Sequence, residues 1–364
     1  IFRVILPRIN MHRRILLVGG GTAGHSEPLF VVGRALVKRG HTVALVSNPS
    51  EETRSRAQTE KIEFFPINAG KLRRYLTSHM VLEPLKFAHG YLQARRALAA
   101  FKPDCIFSKG GYVSVPLIVA SASRRPRIPI IVHESDTVFG LANRLVAKRA
   151  AKILLGFPLA RPAQLATQIV GIPINPSYRL KAVRSKRPLI LILGGSQGSR
   201  ALNALVFSIA ADLAGRAEVI HQTGTHDFKQ AHMVRSRLPH GIQHQYKPVI
   251  FSDELSIIMR RAWVYVGRAG ATTLTEIIAT RLPPILIPLP SAAGNHQVEN
   301  TLLFERSQAA YVLSQQKLTA AQLAATIRYL IENKAARSAL GRRLKSLDHP
   351  HALEDTVRII EEVC

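Results

Sequence analysis

The chain has 364 residues, 47% of them hydrophobic and 20% charged, enough to bury two separate cores, which excludes disordered and fibrous classes. Lysine and arginine number 50 against 23 acidic residues, a formal net charge of +27. A field of that sign attracts nucleic acid, an anionic membrane surface or polyanionic substrates, and by itself it does not separate these from a merely solvated basic surface.

Residues 1–10 precede Met11, and their interruptions Arg3, Arg8 and Asn10 break any signal-like apolar run, so they read as an extension outside the fold. Ile15 to Val18 predicts a buried strand and Pro28 to Arg39 a helix stopping at Gly40. His41 to Ser47 predicts the next strand, as a right-handed βαβ unit requires. Cys105 to Phe107, Ile128 to Val132 and Lys152 to Leu154 continue the alternation, giving a doubly wound parallel sheet of about six strands. The segment from Gly171 to Pro176, followed by Lys181, Arg184, Lys186 and Arg187, reads as a linker. Strands at Leu189 to Leu193, Val219 to Gln222, around Tyr246, Val264 to Val266 and Pro284 to Pro288 then predict a second α/β lobe. The expected division is 11–172 and 173–348, with a final helix over 349–364 packed back on the first lobe.

Both lobes place glycine turns between a strand and a helix. Gly19-Gly20-Gly21-Thr22-Ala23-Gly24-His25 and Gly110-Gly111-Tyr112-Val113-Ser114 lie in the first, Gly194-Gly195-Ser196-Gln197-Gly198-Ser199 and Gly267-Arg268-Ala269-Gly270-Ala271-Thr272-Thr273 in the second. Turns without side chains let amide N–H groups and a helix N-terminus approach an anion closely, so two such lobes predict diphosphates held in a shared cleft. Gly19, Gly21 and Gly24 satisfy G-x-G-x-x-G, yet the second strand ends Val46-Ser47-Asn48-Pro49 without the carboxylate a dinucleotide ribose needs; no turn ends in the Gly-Lys-Ser/Thr of a Walker loop. The two cysteines, Cys105 and Cys364, give neither a disulfide framework nor a metal-ligand spacing, and a reducing compartment is expected. No aspartates stand two apart to hold a divalent cation, so no metal and no cofactor is expected, and leaving-group charge falls to helix dipoles and hydrogen bonds. The best apolar run, Val113 to Ala122, is shorter than the roughly 18 residues of a membrane span and contains Pro116.

In chain order, Gly20-Gly21-Thr22-Ala23-Gly24-His25, Lys109-Gly110-Gly111-Tyr112-Val113-Ser114, His133-Glu134-Ser135-Asp136, Gly194 through Asn203, Arg268 through Glu276 and Asn295 through Asn300 resemble the signature blocks of the MurG family, from Met11 to the C-terminus. The resemblance implies two Rossmann-like domains facing across a cleft, the GT-B arrangement. It implies inverting transfer of N-acetylglucosamine from UDP-GlcNAc to the MurNAc 4-hydroxyl of lipid I, an undecaprenyl-diphosphate acceptor, to give lipid II. It further implies a peripheral place on the cytoplasmic face of the bacterial plasma membrane and association with other cell-wall synthesis proteins.

Carried over residue by residue, the donor set is Gly195, Ser196, Gln197, Ser252, Arg268, Ala271, Thr272, Glu276, Gln297 and Asn300. Glu276 would accept the ribose hydroxyls, with a helix-dipole acid as the alternative; Gln297 and Asn300 would read the sugar, or be surface amides. Arg268 would contact phosphate or pair with a local carboxylate. The acceptor set is Gly21, Thr22, Ala23, Gly24, His25, Gly111, Tyr112, Ser114 and Asp136. His25 is the candidate base, because its ordinary pKa lies near neutrality, or else a diphosphate ligand or loop cap; His133-Glu134 is a second pair, or a strand end that orients the lobe. Basic residues Lys71, Arg73, Arg74, Lys86, Arg95 and Arg96 interleave with apolar ones such as Leu85, Phe87 and Leu92, a mixture suited to anionic headgroups or to covering the sheet.

The chain departs from the family pattern at Ala23, at Ser135-Asp136 where Gln-Asn is usual, and at Ile172 and Asn175, where the linker's Asn and Arg stand. Asp136 puts a negative charge near a diphosphate, costly unless it is paired, protonated or turned away; Arg179 and Lys181 are the cations nearest the missing arginine. A UDP-GlcNAc 2-epimerase and a non-catalytic UDP-sugar-binding protein at the membrane remain alternatives. Nucleic acid is not expected as a partner, since no aromatic-rich RNA-binding stretch accompanies the charge.

Overall fold

A computed structural model describes residues 12–20, 23–69, 83–161, 164–195, 197–290 and 295–364. The first lobe runs β1 (Arg14–Val18), α1 (Ala23–Lys38), β2 (Thr42–Ser47), α2 (Glu51–Thr59), β3 (Glu63–Pro66), α3 (Glu83–Phe101), β4 (Cys105–Ser108), α4 (Ser114–Ser121), β5 (Ile130–Glu134), α5 (Leu141–Ala147), β6 (Lys152–Leu155) and β7 (Gln168–Ile169). Its parallel sheet has the order β3-β2-β1-β4-β5-β6-β7. The central strands are continuous aliphatic runs because helices cover both faces: Ile15 and Leu17 pack under α1, Leu16 and Val18 under α3 and α4.

The second lobe repeats the plan with β8 (Leu189–Leu193), α6 (Arg200–Arg216), β9 (Glu218–Gln222), α7 (Phe228–Arg237), β10 (Tyr246–Val249), α8 (Leu255–Arg261), β11 (Val264–Gly267), α9 (Ala271–Thr280), β12 (Pro284–Leu286), α10 (His296–Arg306), β13 (Tyr311–Val312), α11 (Ala320–Glu332) and α12 (Lys334–Ser346), after which the chain returns to the first lobe as α13 (Ala352–Val363). Its order is β10-β9-β8-β11-β12-β13, also parallel. In each sheet the first strand of the lobe lies beside a later one, β1 by β4 and β8 by β11, and the strand order reverses there. A crevice opens at the carboxyl ends of such a strand pair, where ligands bind open α/β sheets.

Helix α1 starts at Ala23, not at Pro28, because a proline near the helix start forfeits a single backbone bond. Strand β5 begins two residues later than the run of isoleucines suggests, after Pro129, whose carbonyl still accepts Ile106 N–H at 3.0 Å. Between the sheets, Ile172 and Ile174 enter the second lobe's core with Tyr178. Asn175 caps the 3-10 turn Pro176–Arg179 by accepting Ser177 N–H at 3.0 Å. Arg179 is committed locally, Nη1 donating to both oxygens of Asp348 at 2.9 and 3.0 Å and Nη2 to the His349 carbonyl at 2.9 Å.

Helix α13 lies on the first lobe, Val357, Ile359 and Ile360 joining Ile15, Leu17, Val43 and Leu45 in one cluster. Glu361 ties it to Arg39 at 2.7 Å and to His41 at 3.0 Å. Here the structure corrects an expectation: Cys364 reaches Cys105 across 259 residues of sequence, with Cα atoms 5.3 Å apart and the sulfurs in disulfide contact. Only the return of α13 makes that pair, so spacing along the chain cannot reveal it.

Candidate active site

On the first lobe, the turns after β1 and β4 meet backbone to backbone. Gly111 has φ +79°, and a Cβ there would stand 2.3 Å from the Gly20 carbonyl oxygen, so glycine is required twice over. Ser114 Oγ donates to the Gly111 carbonyl at 2.6 Å, fixing the turn that opens α4, and Tyr112 packs on the core beneath α3 and α4. Gly21 and Thr22 lie outside the described residues. Ala23, Gly24 and His25 form the first turn of α1, and the side chain of His25 is likewise outside the description.

Beside this pair of turns sits a buried ionic cluster. Lys109, at the end of β4, donates from Nζ to His133 Nδ1 at 2.9 Å and to Ser135 Oγ. His133 Nε2 stands 2.9 Å from the Gly171 carbonyl, which can only accept, so Nε2 carries the proton and Nδ1 receives the lysine. Burial and the neighbouring lysine hold His133 well below the usual imidazole range. With both nitrogens engaged in this arrangement, it orients the end of its strand. Glu134 is also structural: it accepts Asp136 N–H at 3.1 Å, Gly140 N–H at 2.9 Å and Asn143 Nδ2 at 2.9 Å, and desolvation raises its pKa. Burial brings Lys109 down to about 7, against the attraction of Glu134 and Asp136.

On the second lobe, the turn after β8 leaves Gly195 and Gln197 exposed, while Ser196 lies outside the described residues. The Gly195 carbonyl accepts Gly198 N–H at 3.0 Å and Gln222 Nε2 at 3.2 Å, and Ser199 caps α6 by accepting Leu202 N–H. Arg268, at the mouth of β11, braces this turn. It donates to Ser199 Oγ, to Gln315 Oε1 at 2.6 Å and to the Ile287 carbonyl at 2.9 Å, so its described partners are neutral oxygens. Helix α9 opens at Ala271 and Thr272 after Gly270, with no side-chain cap, the arrangement in which a helix start accepts an anion. Ser252 stands in the loop after β10, its Oγ accepting Glu254 N–H at 3.3 Å. Glu276 is buried on α9; desolvation, with Glu27 of α1 adding repulsion and the nearby Tyr178 phenol opposing, lifts its pKa to about 8.

The lobes are joined at Asn300 of α10. Its Oδ1 accepts both Thr137 N–H at 3.0 Å and Thr137 Oγ1 at 3.1 Å, while Nδ2 donates to Asp136 Oδ1 at 2.8 Å and to the Ala269 carbonyl at 3.1 Å. Asp136 is thus paired, and the Asn300 amide is engaged between lobes in this arrangement. Gln297, one turn earlier, accepts Leu289 N–H at 3.0 Å. Next to the clasp a cavity of about 510 Å³ runs between Thr137, Phe139, Arg144, Lys148, Arg161 and Glu299. Thr137 and Tyr178 are the contributors that motif reading missed; Lys109 stood at the head of a signature block, before two glycines, without a role assigned to it.

Two facing parallel sheets, each with glycine turns at its switch point, define a GT-B glycosyltransferase. The crystal structure of Acinetobacter baumannii MurG superposes with a TM-score of 0.74 at 23% identity, covering 96% of this chain and 99% of that one. CalG4, the calicheamicin glycosyltransferase, superposes with a TM-score of 0.70 at 14% identity. Residues 15–155 match the glycosyltransferase family 28 N-terminal domain and residues 189–355 the family 28 C-terminal domain. UDP-N-acetylglucosamine--N-acetylmuramyl-(pentapeptide) pyrophosphoryl-undecaprenol N-acetylglucosamine transferases are 31% identical to the chain. The one from Lachnoclostridium phytofermentans aligns over 96% of this chain and 99% of its own length, that from Clostridium botulinum strain Loch Maree over 88% and 92%. The chain belongs to glycosyltransferase family 28.

Proposed function

We propose that the chain transfers GlcNAc from UDP-GlcNAc to the MurNAc 4-hydroxyl of lipid I, forming lipid II with inversion at the anomeric carbon. The observation that carries this reading is the near full-length alignment with transferases named for that reaction. In the step, the acceptor oxygen bonds to the anomeric carbon as the sugar–phosphate bond breaks. The hydroxyl proton passes to a base, for which His25 is the candidate, and UDP leaves with the bonding pair.

The second lobe takes the donor and the first the acceptor. Gly195, Ser196, Gln197 and the opening amides of α9 at Ala271 and Thr272 would face the donor diphosphate, with Arg268 holding the turn; Ser252 would border the uridine and Glu276 accept its ribose hydroxyls. Gln297 would meet the sugar, and Asn300, its amide held by Thr137, Asp136 and the Ala269 carbonyl, would border it. Gly21, Thr22, Ala23, Gly24, Gly111, Tyr112, Ser114 and Asp136 would surround the acceptor diphosphate.

Peripheral docking on the cytoplasmic face of an anionic plasma membrane completes the proposal. Leu85, Leu92, Leu141 and Leu145 are exposed beside the basic residues Lys86, Arg95, Arg96, Arg144 and Lys148 of α3 and α5, a pattern that favours headgroups. Among the described residues no helix is long and apolar enough to cross a membrane. Residues 71–82, part of the same basic and apolar stretch, lie outside the description.

The test is purified protein with UDP-GlcNAc and a lipid I analogue in detergent. Disaccharide-linked product and UDP in equal amounts support the reading; release of UDP and ManNAc without acceptor would instead favour the epimerase. Co-sedimentation with vesicles containing phosphatidylglycerol, absent with neutral vesicles, tests the docking.

A further inference from the structure

Lys109 has no task in the reaction as written, yet it is 4% exposed, and an ammonium placed there pays a steep desolvation cost. Its surroundings are specific. The hydroxyl of Ser135 and the Nδ1 of His133 accept its protons, and His133 is held in place by the Gly171 carbonyl. Glu134 and Asp136 supply the attraction that favours its charged form. Glu134 is committed to Gly140 and Asn143, so Asp136 is the member of this cluster that reaches the other lobe, at Asn300.

We propose that Lys109 is a positioning residue for the transfer reaction: it fixes the Ser135-Asp136-Thr137 turn in the shape that closes on Asn300 of the opposite lobe. The inference rests on the transferase reading above. Lys109 anchors the turn through Ser135 and balances the charge of Asp136, so that an acidic side chain can stand beside the acceptor diphosphate and still present Oδ1 to Asn300. Without the cation, Ser135 loses its donor and Asp136 its neighbouring positive charge, and the partly exposed Asp136 side chain turns outward to water. Thr137 N–H then loses its acceptor across the cleft.

The experiment compares the full-length chain with Lys109→Met and with Lys109→Met/Asp136→Asn, reading backbone amide exchange at Thr137, kcat, the KM for UDP-GlcNAc, and thermal melting. In the single variant Thr137 exchange accelerates and kcat falls by about 10- to 100-fold, the scale of a displaced reacting group. The double variant removes both charges, and asparagine's carbonyl oxygen still accepts from Asn300, so it recovers Thr137 protection; kcat is compared only between wild type and the single variant, because Asp136 also borders the acceptor. If Lys109→Met does not hold its fold, Lys109→Arg, which keeps the charge and misplaces it, carries the same comparison. Wild-type exchange and kcat in the single variant would overturn the proposal, as would a folded double variant no better protected than the single. Amide exchange needs no turnover, so an inactive wild type would refute the transferase reading and still leave the clasp to be judged.

Discussion

Tyr178, buried on the turn that joins the lobes, and Glu276 of α9 lie close enough to shift each other's ionisation, so the candidate ribose ligand is coupled to the linker itself. Glu276 is 6% exposed and its pKa rises to about 8, from an ordinary carboxyl value of 4.5. Between these values the folded state binds the extra proton, so the group's contribution to stability is complete below about pH 4.5 and lost as pH rises through about 8. Glu276→Gln removes this loss: relative to the variant, wild type loses stability between pH 5 and pH 8, by at most about 1.4 kcal/mol per pH unit. Urea midpoints at both pH values check it. Tyr178→Phe, which removes the nearby phenol that favours the carboxylate, moves the loss to higher pH.

The same Glu276→Gln variant weakens UDP-GlcNAc. A carboxylate accepting two ribose hydroxyls contributes about 1.5–3 kcal/mol as a charged acceptor, so Kd rises by roughly 10- to 150-fold. Calorimetry with UDP-GlcNAc at pH 9, where the carboxyl is ionised, reads this directly.

Gly111→Ala loses activity and stability together. The left-handed φ and the Gly20 carbonyl oxygen 2.3 Å from the new methyl both oppose it, at a cost of about 1–3 kcal/mol for the backbone conformation alone. Melting and kcat are the measurements. Gly215→Ala, on α6 with open space around it, serves as the control and leaves both unchanged.

Arg268→Ala raises the KM for UDP-GlcNAc although its described contacts are all to the protein. Ser199 loses the guanidinium that fixes the turn before α6, and the turn must order itself on binding, at about 1 kcal/mol or fivefold in affinity. Arg268→Lys restores little, since a single ammonium cannot span Ser199, Gln315 and the Ile287 carbonyl.

Ile360→Ala destabilises the first lobe, though it lies only four residues before Cys364. The side chain is fully buried against that lobe's sheet, and its loss costs about 2–5 kcal/mol. Denaturant unfolding followed by amide exchange in β1 and β2 locates the effect.

The fold was legible where physics writes itself locally. The aliphatic runs of β1, β2 and β8 follow from burial on both faces, and Gly111 and Gly198 mark places where another backbone passes within a methyl's reach. The edge strands were not legible. Glu63–Pro66 is short and partly exposed, and Gln168–Ile169 is two exposed residues, so neither carries a strand's pattern. The glycine turns of the candidate site were readable for the same local reason. What Asn300, Lys109 and Tyr178 touch was not, because partners such as Thr137 and Asn300 stand 163 positions apart and are joined only by the docking of one lobe on the other.

The polypeptide passes between the lobes twice, once through the turn bearing Arg179 and again just before α13, and Arg179 clamps the second passage to the first through Asp348. A body suspended from one tether can swivel about any direction, whereas one held by two adjacent tethers retains a single easy axis running through both. Any parting of the lobes is therefore confined to rotation about that one axis, which keeps the two sets of glycine turns opposed to each other.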